Sequence, residues 1–133
     1  MSKITVWFIR SAMIYFLIAV SLGLWMGIYP RGYYMPVHVH LNLLGWMSMF
    51  IYGVAYHILP RFSGQQLYSD KLSEVHFWTA HIGLIGMVIS WFLFKRKLLV
   101  VFSLIEVFSI ILFVVNMFKT IRPVSAIKPP GNS

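Results

Sequence analysis

Five histidines, His38, His40, His57, His76 and His81, stand in a 133-residue chain that offers little other reactive chemistry. There is no cysteine, which excludes disulfides, thiolate metal sites, iron–sulfur clusters and thioether-attached haem. A redox or metal centre must then rest on histidine, methionine or a carboxylate. No Gly-rich phosphate loop, nucleophile elbow or acidic pair is present. The three acids are Asp70, Glu74 and Glu106.

The histidine spacing sorts the candidates. His38 and His40 are two residues apart, and at about 100° per residue they point to nearly opposite sides of a helix. They suit two different ligands or neighbours better than one shared metal ion. In a regular helix the His38 side continues through Asn42, Gly45, Met49, Tyr52 and Tyr56. The His40 side continues through Leu44, Met47, Ile51 and Ile58. That second side is apolar with one imidazole at its end, which suits a flat macrocycle lying along the helix. Gly45 would let such a ring, or a second helix, approach the backbone on the other side.

His57 lies about 25 Å further along the same helix. His76 starts the next helix on that side and could meet His57; both also suit ordinary solvated helix ends. His81 lies deeper, as a ligand or as a hydrogen-bonding residue between helices. Glu106 falls in the middle of the last apolar run. An isolated carboxylate is costly there, so it should be protonated or paired, in a proton-transfer or a structural role. The methionines Met26, Met47, Met49 and Met87 are alternative axial ligands, but in apolar helices methionine is more often plain filler.

The elements that must position these groups follow from composition. Hydrophobic residues make up 59% of the chain and charged residues 11%, with a mean hydropathy of +0.79. A soluble domain is about a quarter charged, and 17% aromatic residues exclude disorder. Gaps between charges outline four spans, at about 7–29, 37–60, 73–94 and 98–119. In lipid these must be helices, because every backbone group has to be satisfied within its own segment. The fold class is therefore an all-α integral membrane four-helix bundle, one domain over 1–119 with a flexible tail over 120–133. Ala19, Gly23 and Gly27 mark a close-packing face on the first helix.

The net charge of +8 does not indicate nucleic acid, because the basic residues flank the apolar runs instead of forming a stripe. Four spans put both termini and the Arg61–Lys71 loop on one side. That side also carries the larger basic cluster and so is expected to be cytoplasmic, with His38 and His40 toward the outer side. Arg10 and the lack of a small-residue cleavage site mark the first span as a retained helix.

His38-Val39-His40, Leu44-Gly45-Trp46, Gly53, Tyr56, Leu59-Pro60 and His76-Phe77-Trp78 together resemble the catalytic subunit of haem-copper oxidases. The likeness is nearest to C-type oxidases and nitric oxide reductases, around their tenth and eleventh helices. It covers roughly a third of the chain. The resemblance implies that His38 matches the ligand of the high-spin haem and His40 that of the low-spin haem. The family subunit has about twelve helices in three groups of four, and this chain looks like one group. The helices bearing the other low-spin ligand and the copper ligands have no counterpart, so a complete oxidase is not expected from one chain.

The resemblance implies non-covalent haem b, with copper as a further cofactor, in a bacterial or archaeal inner membrane. It also suggests a homo-oligomer, a trimer being the form that rebuilds the ring. Electron transfer or binding of O2 or NO would be the function, with a redox protein or quinol as partner. Rival expectations are a copper or zinc module on the same histidines, and a non-catalytic accessory subunit of a respiratory complex.

Overall fold

A computed structural model describes residues 2–30 and 32–121, and the tail expected to be flexible lies, from 122 on, outside the described residues. Four helices are long and apolar enough to cross a membrane: α1 (Lys3–Ile28), α2 (Gly32–Phe62), α3 (Asp70–Phe92) and α4 (Arg96–Thr120). Each starts a few residues before the hydrophobic run does. For α1 and α3 the reason is a serine cap. Ser2 Oγ accepts from Thr5 N–H at 3.2 Å, and Ser69 Oγ accepts from Leu72 N–H at 3.2 Å. Asp70 adds a negative charge to the first turn of α3.

α2 is not uniform. It opens with a 3-10 turn at Gly32–Tyr34, and Pro36 sits in its first α-helical turn, where no backbone donor is missed. Residues Leu41–Ser48 then form a π-helix before α-helix resumes over Met49–Phe62. Within it Ser48 Oγ donates to Leu43 O at 2.8 Å.

α1 packs mainly along α2, and α3 mainly along α4; contacts between the two pairs are sparser. α1 buries Thr5, Phe8, Ala12, Tyr15 and Ala19, spaced three and four apart. Hydrophobic driving force is weak between helices in lipid, so close van der Waals approach must hold the pairs. α3 and α4 achieve it through two glycines. The ring of Phe102 fills the space that a Cβ on Gly86 would need, and the carboxyl of Glu106 fills that of Gly83.

The outer surface is apolar, as lipid requires: Leu17 is 69% and Leu104 64% exposed. The turn between α3 and α4 places Phe94 at φ 56, a left-handed conformation costing a side-chain-bearing residue about 1 kcal/mol. Its ring stacks on Tyr33 at 5.0 Å. Trp91 Nε1 donates to Tyr33 O, and Tyr33 Oη donates to Trp91 O, each at 3.0 Å, which ties α2 to α3 at this end. At the other end Asn116 clamps Ser69, accepting from its N–H and donating to its carbonyl.

Candidate functional site

His38 and His40 sit in the last α-helical turn before the π-helix. That π run changes which residues share a face. The buried residues of α2 are Val37, Leu41, Gly45, Met49, Tyr52, Gly53, Tyr56 and Pro60. Gly45, Met49, Tyr52 and Tyr56 thus align with Val37, and not with His38 as a regular helix would have it. Gly45 gives its space to Tyr15 and Leu84: a Cβ there would come within 2.8 Å of Tyr15 Cγ. A helix contact, not a macrocycle, uses that glycine.

His38 turns toward α1. Its Nδ1 lies 2.9 Å from Ala19 O, and its ring lies over Gly23, where a Cβ would be 2.7 Å from Cε1. Asn42 Nδ2 donates to His38 O at 3.0 Å and stands 3.4 Å from His38 Nε2. His40 turns the other way. Its Nδ1 lies 2.6 Å from Pro36 O. A carbonyl oxygen only accepts, so both rings carry their proton on Nδ1 and leave Nε2 as the acceptor, which on His38 takes a hydrogen bond from Asn42 Nδ2 at 3.4 Å. A backbone acceptor on the far nitrogen is the usual support of a ligating imidazole.

The two histidines border different spaces. His40 lines a cavity of about 110 Å³ with Val37, Met87 and Trp91. His38 lines an open groove of about 490 Å³ with Val20, Asn42 and Leu43. Sites for drug-sized ligands run from about 300 to 1,000 Å³. The donor chemistry of both histidines therefore fits a haem, whereas the His40 cavity of one chain does not enclose one. A macrocycle on His40 would stand on the surface of the bundle and need covering from outside.

The other histidines are elsewhere. His76 is fully buried, with Nδ1 2.9 Å from Tyr56 Oη. Its partner is thus Tyr56 and not the adjacent His57, which lines a polar cavity of about 190 Å³ at the bundle end with Ser2, Thr5, Arg61 and Asp70. His81 Nδ1 lies 2.7 Å from Phe77 O, the same i−4 anchoring as in His40, but its Nε2 is buried. The rings of His76 and His81 flank Phe8 at 5.0 and 6.4 Å. Glu106, 3% exposed, lies against Gly83. Among the described residues no three histidine or carboxylate side chains converge to hold a metal ion.

Contacts that spacing did not indicate complete the bundle centre: Tyr56 with His76 and Gly83 with Glu106, beside buried Ser109. Each depends on the register between helices, which one helix's own periodicity does not report.

Residues 30–95, which contain all five histidines, match the family described as Cytochrome C and Quinol oxidase polypeptide I. The chain is 41% identical over 54 residues to the Cbb3-type cytochrome c oxidase subunit CcoN1 of Stutzerimonas stutzeri, covering 40% of this chain and 11% of that protein. It is 47% identical over 49 residues to cytochrome c oxidase subunit 1 of Rhodobacter capsulatus, covering 36% and 9%. A longer match, 26% identical over 110 residues, joins it to cytochrome c oxidase subunit 1 of Corynebacterium diphtheriae, covering 68% and 19%. The chain thus spans between about a tenth and a fifth of the length of these relatives.

Proposed function

We propose that this chain, a four-helix membrane relative of haem-copper oxidase subunit I through residues 30–95, holds b-type haem on His38 and His40. The observation that carries the reading is the pair itself: two imidazoles on one helical turn, each anchored at Nδ1 by a backbone carbonyl, and each bordering a separate space. His81, His76 and His57 stand apart from that pair and are not assigned to the haem. The haem would supply one-electron transfer, or binding of O2 or NO where one axial position stays open.

The small His40 cavity makes the site incomplete in one chain, so haem is held between chains of a homo-oligomer. A trimer is the arrangement we favour. Orientation follows charge: termini in the cytoplasm of a bacterium or archaeon, His38 and His40 toward the outer side, within reach of a redox protein or quinol.

The test is the visible spectrum of detergent-solubilised protein made with ample haem, together with the native mass of the complex. A Soret band lost in His38→Ala and His40→Ala, and haem confined to the oligomer, is the expected result. A change on adding carbon monoxide to the reduced protein identifies an open site. A colourless oligomer carrying copper or zinc by elemental analysis replaces haem with a metal module. A colourless, metal-free and folded protein leaves an accessory subunit.

A further inference from the structure

Among the described residues, five buried polar atoms at the bundle centre have no hydrogen-bond partner: His76 Nε2, His81 Nε2, both oxygens of Glu106, and Ser109 Oγ. Three of the four residues are at most 3% exposed. Orphaned polar atoms in such numbers call for buried water. They also have an order. Gly83 faces Glu106 and His76 faces Phe113 across the α3–α4 seam, which sets one antiparallel register. Ser109 falls between them, opposite Ala80. His76 is bonded to Tyr56, and Tyr56 is a wall of the polar cavity that opens at the bundle end beside Arg61 and Asp70.

We propose that Glu106, Ser109, His76 and Tyr56 form a hydrated proton-exchange site that connects the bundle centre with the Arg61–Asp70 end. Its ligands are water and a proton. A proton taken up at Tyr56 Oη displaces the hydroxyl proton onto His76 Nδ1. The proton on His76 Nε2 passes through water and Ser109 to the Glu106 carboxylate, so Tyr56 and His76 end uncharged. The groups facing this line are Thr5 and Tyr15 from α1, Tyr52 from α2, His81 from α3 and Asn116 from α4, with His57, Arg61 and Asp70 at the cavity end where Tyr56 forms the wall. The site does not depend on haem.

The chain has only three acidic side chains, and Asp70 and Glu74 are exposed. Infrared spectroscopy of the protein in lipid at neutral pH therefore isolates Glu106. A protonated-carboxyl carbonyl band is expected that shifts in D2O and disappears in Glu106→Gln. If that variant does not fold, 13C-glutamate labelling of the unaltered protein assigns the same band. In Tyr56→Phe the band is expected to remain while its exchange with D2O slows by about tenfold or more. His76→Gln, which keeps a hydrogen-bonding side chain, gives the same slowing if Tyr56→Phe does not fold. No protonated carboxyl band, or an exchange rate indifferent to the altered relay residue, overturns the proposal.

Discussion

The N-terminal turn of α2 and the centre of the bundle both hold a pair of histidines, and they treat them in opposite ways. At the N-terminal turn His38 and His40 are half-buried and border a groove and a cavity. At the centre, the Nε2 atoms of His76 and His81 are sealed among Phe8, Tyr15, Tyr52 and Phe77. Carbonyl anchoring is shared: His40 and His81 each use the carbonyl four residues earlier. The surroundings therefore decide the role, and not the imidazole. An open nitrogen is available to a large planar ligand, whereas an enclosed one is reached only by water and protons.

Substitutions at the centre should change stability and leave haem chemistry intact, and substitutions at the N-terminal turn of α2 should do the reverse. The largest effect is expected at Gly83. A methyl there would lie 2.5 Å from Glu106 Oε2 and 3.0 Å from its backbone nitrogen, so α3 and α4 must separate. Gly83→Ala should cost about 3 kcal/mol, read from unfolding in mixed micelles. Loss of haem without loss of stability would break the division. Next, His40→Ala should lower haem retention by more than about tenfold while shifting the unfolding midpoint little. Tyr56→Phe removes the bond to buried His76 and should cost about 1–2 kcal/mol with an unchanged Soret band. The smallest effect is Ser69→Ala, which removes the α3 cap at about 1 kcal/mol and touches neither site.

Much of this division was legible in the residues. The charge gaps mark four spans because lipid tolerates few ionised groups, and the four helices lie there. His38 and His40 diverge because they are two residues apart on a helix, which local geometry alone dictates. Glu106 stands out as the one acid inside an apolar run, and it is buried. What was not legible depends on register. Nothing in the composition of Leu41–Ser48 distinguishes a hydrogen bond to the fifth residue from one to the fourth, so regular winding puts Gly45, Met49, Tyr52 and Tyr56 on the His38 side, whereas the π run aligns them with Val37. The Tyr56–His76 and Gly83–Glu106 contacts arise from how far two helices slide along each other, which no single-helix pattern encodes.

The stretch Leu41–Ser48 has one more implication. It lies between the turn that presents His38 and His40 and the segment that supplies Tyr52 and Tyr56. Deleting one residue there would restore ordinary winding and swing the downstream segment by about 100° about the helix axis. The angle between the two halves is thus stored in the number of residues between them, not in their identity. Among natural variants of this chain, a change of length in this eight-residue window should alter the mutual orientation of the two sites more than any substitution inside it.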